Sequence, residues 1–415
     1  MKTALDLAKA AKEASISLRT ISTKTKNEVL QFVAFELDRQ RETLQAENQK
    51  DIQIAKENGL SSAMIDRLTL SDKVIDSMIK GLHEVIALPD PVGKITDMTV
   101  RPNGLWVGKM QIPLGVIGFI YESRPNVTID AAALCLKSGN AIILKGGKEA
   151  IYSNTALSKI MDTALAQANI PTGAIGVALT TDRQFTKELI GLENWIDVVI
   201  PRGGEGLVRF VAENAKIPIL KHYDGICHAF IDASADFSMA EEIVLNAKIQ
   251  RPSTCNALET LLVHKEIAAM FLPNMVDRLQ KEGVMLKGDD KTRVLFPNMI
   301  PATEEDWKTE YLDLVLSIKI VSDINEAINH IDQYGSNHTE TIVTNDYTHA
   351  RQFLSQVDAS LVLTNASTRL NDGGELGLGA EIGISTSKLH AYGAMGLKEL
   401  TTTKFIAMGT GQIRE

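Results

Sequence analysis

Three cysteines, Cys135, Cys227 and Cys255, supply the thiols of this 415-residue chain, and one of them stands where a nucleophile would. Cys255 closes a polar, proline-marked loop in KIQRPSTCNALETLLVH, directly ahead of an apolar run. A cysteine kept for packing would sit inside such a run. At an ordinary thiol pKa only about 3% of the sulfur is ionised at neutral pH. A nearby cation or helix N-terminus would raise that fraction, and Arg251 lies in the same loop. Cys135, in the alanine- and leucine-rich stretch IDAAALCLKSGN, reads as a buried helical residue. Cys227, in YDGICHAFID, reads as packing near the start of a strand. The cysteines form no CxxC and no Cys/His cluster along the sequence, so neither a disulfide framework nor a structural zinc site is expected. His222, His228 and His264 read as satisfied polar groups or surface residues, and no metal is expected.

Two glycine turns could hold phosphate. ILKGGKEA follows a strand, and VIPRGGEGL runs from a strand into a helix. Backbone N–H groups at a helix N-terminus hold anions, and glycine permits close approach. Neither stretch fits GxGxxG or the Walker A pattern. Each alone is commonly an ordinary turn; as a pair in one α/β block they favour a dinucleotide site.

These groups need a scaffold, and the composition allows one. Apolar residues make up 44% and charged residues 23%, the range of soluble globular proteins, and the length suits roughly two to three domains. A net charge of -9 argues against general affinity for nucleic acid. There is no apolar run of transmembrane length, and MKTALDLAKAAKEAS lacks a signal-peptide core. A cytoplasmic protein without nucleic-acid or membrane partners is the expectation.

The first ninety residues have helical periodicity. Val74, Ile75, Met78, Ile79, Leu82, Val85 and Ile86 recur on one face, with Ser71 and Asp72 at the N-cap. TVRPNGLWVGKMQIPLG has a hairpin's composition around Asn-Gly. Short apolar runs (GVIGFI, AIILK, IGVAL, WIDVVIP, HAFID) then alternate with helical segments, the pattern of a parallel sheet. A second alternating series runs from MAEEIVLNAKIQ to SLVLTN. A glycine-rich stretch from Asn371 and a final strand, TTTKFIAMG, complete the chain.

The chain resembles the gamma-glutamyl phosphate reductases, or glutamate-5-semialdehyde dehydrogenases, a branch of the aldehyde dehydrogenase superfamily. The stretches that carry the likeness are PLGVIGFIYESRPNVTIDAAALCLKSGNAIILKGGKEA, VIPRGGEGL, QRPSTCNALETLLVH, the YGSNHTETIVT block and GLGAEIGISTSKLHAYGAMGLKELTTTKF, in family order over essentially the whole length. The resemblance implies an aldehyde dehydrogenase-like α/β fold. Its Rossmann-like NADPH-binding domain would span 1–97 and 112–228, its α/β catalytic domain 229–370. A small β oligomerisation flap and C-terminal segment would take 98–111 and 371–415. Because flap strands would otherwise be unpaired edges, a homo-oligomer is expected.

The resemblance also makes Cys255 the nucleophile of an NADPH-dependent reduction of L-glutamyl 5-phosphate, through a thioester, to the semialdehyde and phosphate. Hydrolytic relatives carry a water-activating glutamate in Glu-Leu-Gly-Gly. Here the corresponding stretch is KHYDGICHAF, with His222 near that place and Asp224 two positions off. Losing the base suits a reductase, because water attack would waste the activated acyl group. NAD-using relatives place a glutamate three residues after the strand-end lysine. Here the strand ends at Lys145 and Lys148 follows, a cation suited to a 2′-phosphate. By the same resemblance Asn126 would steady the acyl oxygen, Gly203 and Gly204 would approach the cofactor, and Glu310 would bind its nicotinamide-side ribose. Arg124, Lys221 and Arg251 would serve the substrate's anionic groups, unranked. A glutamate kinase is the expected metabolic partner. Two other readings stay open: an NADP-linked dehydrogenase that oxidises an aldehyde, and a non-catalytic nucleotide-binding protein of this fold.

Overall fold

The structure is a computed structural model and describes residues 2–414. It divides into two compact units, one of Met1–Lys221, Gly377–Gly383 and Met395–Glu415, the other of His222–Leu376 and Ile384–Ala394.

Helices Ala4–Leu18, Thr23–Arg39, Arg41–Glu57, Ser62–Leu68 and Asp72–Ala87 open the first unit. Thr3, Ser22, Ser61 and Ser71 each accept a backbone N–H from the first turn that follows, which satisfies donors the helix cannot. The three- and four-residue spacing that predicts Asp72–Ala87 is the face it buries, through Ile75, Met78, Leu82 and Val85. Behind these helices lies a four-stranded parallel sheet in the order Ile175–Val177, Ala141–Lys145, Val116–Tyr121, Val198–Arg202. The two central strands are buried along their whole length, as strands covered on both faces must be. Ile219 bridges to Val199 and continues the sheet outward.

The predicted hairpin forms between Ile95–Val100 and Trp106–Pro113, turning at Asn103 and Gly104. Gly104 has φ +83, a conformation that favours glycine. The C-terminal strand Thr401–Met408 pairs antiparallel with Trp106–Pro113 to complete a three-stranded sheet. Thr401–Met408 is an edge of that sheet, and Phe405 on it is 75% exposed.

The second unit holds a seven-stranded parallel sheet. Its order is Ile300–Pro301, Met285–Gly288, Val315–Val321, Leu258–His264, Cys227–Ile231, Thr339–Val343, Leu361–Thr364. Alternation divides the central strands between two cores. Ala229, Ile231, Leu261 and Val263 pack with Phe271 and Leu272 of helix Lys265–Lys281, whereas Phe230, Leu262 and Ile342 pack with Ile328 and Phe353 on the other face.

Two expectations are corrected here. HAFID, grouped with the first block, is the strand Cys227–Ile231 in the second sheet, so the division falls after Lys221 rather than after residue 228. Residues 371–376 and 384–394 likewise belong to the second unit rather than to the small flap. An apolar run identifies a strand but not its sheet, because pairing partners are distant in sequence. The short strands Met285–Gly288 and Ile300–Pro301 had too few residues to show a period. Among the described residues, no helix is long and apolar enough to cross a membrane.

Candidate active site

The second sheet gathers a reactive sulfur at one end. Its central strands Leu258–His264, Cys227–Ile231 and Thr339–Val343 are adjacent and parallel, so the segments entering them meet at their shared N-terminal end. Those segments bring Cys255, His222 and His338 together. The Cys255 Sγ and one ring nitrogen of each histidine all lie within 4.8 Å of one another. The His222 and His338 rings meet edge to face, with centroids 5.5 Å apart. His222 Nδ1 lies 2.8 Å from the Ile384 carbonyl oxygen, which fixes that nitrogen as the N–H donor. The fully buried His338 has Nδ1 2.7 Å from the Thr339 hydroxyl, which itself accepts the Asn371 amide at 2.8 Å.

The electrostatics favour thiolate. Burial by itself would raise the Cys255 thiol, but the charge of His338 and the polar contacts of His222 and His338 carry it well below the ordinary thiol range. Glu310 responds in the opposite direction. Burial first, then the Cys255 charge, push its carboxyl up to about 7, against the N–H of Gly225 that donates to Oε1 at 3.0 Å.

Backbone packing fixes the loop. A Cβ on Gly225 would come within 1.8 Å of the Cys255 carbonyl oxygen, so only glycine fits there. Cys227 donates its S–H to that same carbonyl at 3.2 Å, and burial first, then Glu340, keep it well above the thiol range. From beyond the last strand of this sheet, Arg369 donates to the Thr254 hydroxyl at 2.9 Å and to Gln250 at 2.8 Å. The Thr368 hydroxyl donates to the Asn256 carbonyl at 2.7 Å. Arg251 is exposed, and its charge reaches Arg369.

The sequence names Cys255 and Glu310, gives His222 little weight and shows no Cys/His cluster along the chain. The fold assembles one from segments far apart in the chain. His338, Gly225 and Arg369, which the structure places around the Cys255 loop, are not singled out by the sequence. Their signals were present, in YGSNHTE, YDGIC and STRLNDGG, but nothing local distinguishes them from ordinary loop residues.

The first unit carries the remaining candidates at its strand ends. Lys145 ends Ala141–Lys145, is buried, and donates to the Gly146 carbonyl at 2.7 Å; burial lowers its pKa. Lys148 is exposed three residues later. The neighbouring carboxylate, Glu149, is turned onto Ser123, accepting its N–H at 2.6 Å and its hydroxyl at 2.7 Å. Ser123 has φ 44, so this double contact holds a strained turn. Gly203 and Gly204 precede helix Glu205–Asn214, where the Gly204 N–H donates to Glu122 at 2.9 Å, a carboxylate at an anion's natural place. Arg124 and Asn126 stand at the start of helix Pro125–Lys137, and the Asn126 amide donates to Asp130 at 3.3 Å. Lys221 is half-buried just past the bridge at Ile219. Cys135 is fully buried, as expected, with its thiol raised by desolvation.

Residues 2–300 match the model of the aldehyde dehydrogenase family. The chain is 56% identical over 410 residues to a gamma-glutamyl phosphate reductase of Desulfatibacillum aliphaticivorans, covering 99% of this chain and 98% of the relative. It is 55% identical to that of Geobacter metallireducens, covering 98% and 97%. The crystal structure of gamma-glutamyl phosphate reductase from Thermotoga maritima superposes with a TM-score of 0.98 at 47% identity over the whole of both chains.

Proposed function

We propose that this chain, which belongs to the gamma-glutamyl phosphate reductases of the aldehyde dehydrogenase family, reduces L-glutamyl 5-phosphate to L-glutamate 5-semialdehyde and phosphate with NADPH. The observation that carries the reading is the Cys255 sulfur held between two imidazoles, with its thiol well below the ordinary range. In this mechanism the thiolate attacks the acyl carbonyl, the bond from carbon to phosphate oxygen breaks, and a thioester on Cys255 remains. Phosphate is a good leaving group and needs no strong acid. When bound, NADPH supplies the hydride that reduces the thioester carbon. The hemithioacetal then collapses, returning the electron pair of the C–S bond to sulfur and releasing the aldehyde. His222 and His338 stabilise the sulfur's negative charge both before attack and after release.

Negative charge also develops twice on the acyl oxygen. The Cys255 N–H and the Asn126 amide are the assigned donors, each worth roughly 3 kcal/mol in comparable sites. The position of the hydrolytic glutamate belongs here to His222, whose Nδ1 is committed to Ile384. The nearby Glu310 is tied to Gly225. No carboxylate stands at the His222 position to activate water, which suits a thioester that waits for hydride. Gly203, Gly204 and Glu310 are the positions assigned to the cofactor. Its preference for NADPH rests on Lys145 and Lys148, with Glu149 turned away onto Ser123. A 2′-phosphate would meet a cation there instead of a carboxylate.

The substrate is a labile acyl phosphate, so a glutamate kinase supplies it. The product cyclises through its own amine to pyrroline-5-carboxylate, the precursor of proline, in the cytoplasm. The exposed edge Thr401–Met408 suits pairing with another copy of the chain in a homo-oligomer. The deciding experiment follows phosphate-dependent NADPH formation from the semialdehyde in the intact protein and in Cys255→Ala. The variant is expected to lose activity by a factor on the order of 10⁴–10⁶. Equal rates would refute the mechanism.

A further inference from the structure

The side chains gathered at the Cys255 sulfur are also a metal ligand set. Cys255 Sγ and one nitrogen each of His222 and His338 lie within 4.8 Å of one another, and all three residues belong to the second unit. On a tetrahedral zinc ion, with Zn–S about 2.3 Å and Zn–N about 2.0–2.1 Å, such atoms stand roughly 3.3–3.6 Å apart. Movements of about 1 Å therefore close the set. Both rings are already held as zinc-binding imidazoles are. His222 Nδ1 is 2.8 Å from the Ile384 carbonyl oxygen, and His338 Nδ1 is 2.7 Å from the Thr339 hydroxyl. A ligating histidine keeps its other nitrogen in a contact of this kind, which fixes the ring and turns Nε2 to the metal. Asn371 braces the Thr339 hydroxyl in turn, at 2.8 Å. The ligands need not be vacant, because the ion takes the place of the proton that these rings share with the sulfur.

The donor types select the ion. One thiolate and two imidazoles suit zinc, whereas magnesium and calcium take oxygen ligands. Cys227 does not complete the set: its sulfur lies 3.8 Å from the occupied Nδ1 of His338 and donates to the Cys255 carbonyl at 3.2 Å. Three protein ligands leave a fourth position for water, the count of an accessible zinc site rather than a sealed one. Cys255 and His222 are half-buried, which gives an ion a way in, while the fully buried His338 is the fixed wall. We propose that Cys255, His222 and His338 form a reversible inhibitory site for Zn²⁺. Binding forms one Zn–S and two Zn–N bonds and releases one proton, the one that sulfur and imidazole otherwise share. The electron pair that would attack an acyl carbon is then committed to the metal. The coordination stands by itself; only the loss of turnover rests on the function proposed above.

Cobalt reports the ligands, and alkylation reports the consequence. Titrated anaerobically with Co²⁺, the intact protein should take up one ion per chain and show the visible bands of tetrahedral cobalt together with a thiolate-to-cobalt charge-transfer band. Cys255→Ser should lose the charge-transfer band. His222→Asn and His338→Asn should each weaken Zn²⁺, measured by its displacement of cobalt, by about a hundredfold or more, since losing a group that only orients a ligand already costs about 10–100-fold. One equivalent of Zn²⁺ should slow iodoacetamide labelling of Cys255 by about tenfold or more, and EDTA should restore the rate. Peptide mass mapping assigns the label, with the buried Cys135 and Cys227 as references. Circular dichroism checks the fold of each variant, and Cys255→Ser, which keeps the side chain's shape, decides the matter where a histidine variant fails to fold. Cobalt bound without the charge-transfer band, or zinc affinity unchanged in both histidine variants, overturns the site. The expected cobalt spectrum and protection in a protein that forms no NADPH from the semialdehyde and phosphate would uphold the site and overturn the proposed function instead.

Discussion

The sulfur site of the second unit and the strand-end turns of the first handle charge in opposite ways. Around Cys255 the groups are packed against one another: His338 is fully buried, Cys227 is fully buried, and Gly225 touches the Cys255 carbonyl. At the strand ends most of the groups proposed to meet the cofactor stand outward, Lys145 excepted. Lys148 is exposed, Gly203 and Gly204 are exposed, and a Cβ on Gly204 would find nothing closer than Glu122 at 3.9 Å. On the proposed function, the difference separates making a bond from holding a ligand. Shifting a thiol's pKa needs fixed charges in a poorly solvated space. Gripping a phosphate needs accessible donors and cations that a mobile ligand can reach.

If this contrast is right, glycine substitutions should divide sharply. Gly225→Ala forces the Cys255 backbone to move and should lower kcat by about a hundredfold, because a shift near 1 Å at a nucleophile costs that much. Gly204→Ala should leave thermal stability almost unchanged, and any effect should fall on cofactor KM. Comparable kcat losses in the two variants would erase the distinction.

A second measurement sharpens the electrostatic side. Cys255 should be alkylated by iodoacetamide as a thiolate well below the pH at which ordinary thiols react, and His338→Asn should move the midpoint of the rate profile upward. The sign follows from the direction of the shift: a depressed thiol pKa keeps the anion down to lower pH, and losing the imidazole returns it toward the proton. At pH 7 the variant should react slower by roughly an order of magnitude. An unchanged profile would remove the imidazole from the explanation.

In the first unit, Lys148→Glu should raise KM for NADPH by roughly tenfold or more and leave NADH little affected. Equal changes for both cofactors would point to a disturbed turn rather than a lost cation.

The smallest expected effect concerns the segment that carries Glu310. Asp306 accepts from Thr303, Lys287 and the Tyr311 hydroxyl, and these contacts outweigh burial to bring its carboxyl down to about 2. A depressed carboxyl stabilises the fold above its ordinary pKa and loses that contribution as pH falls toward 2. Asp306→Asn should therefore cost about 2 kcal/mol in urea unfolding at pH 7, with the difference from the intact protein shrinking below pH 4. A pH-independent difference would assign the loss to packing instead.

Much of the scaffold was legible because its signals are local. The helix Asp72–Ala87 announced itself through spacing and its Ser71 cap, the hairpin through Asn-Gly, and the central strands through unbroken apolar runs. The sheet membership of HAFID was not legible, since the same run pairs equally well in either sheet until its neighbours are known. Cys255 was readable from the polar loop and the family likeness. Asn126 and Arg124 could be named, but their shared cavity with Arg202, Asp130 and Glu381 could not.

The residues alone determined that a thiol would stand at the mouth of a strand in an α/β protein, because loop composition and alternation are properties of neighbours in the chain. Only the tertiary structure decided that histidines would lie beside this thiol and draw its pKa down. Parallel pairing puts the entrances of three strands side by side and so delivers His222 and His338 to the sulfur from distant segments. Electrostatic interaction depends on distance through space, and sequence order does not encode that distance.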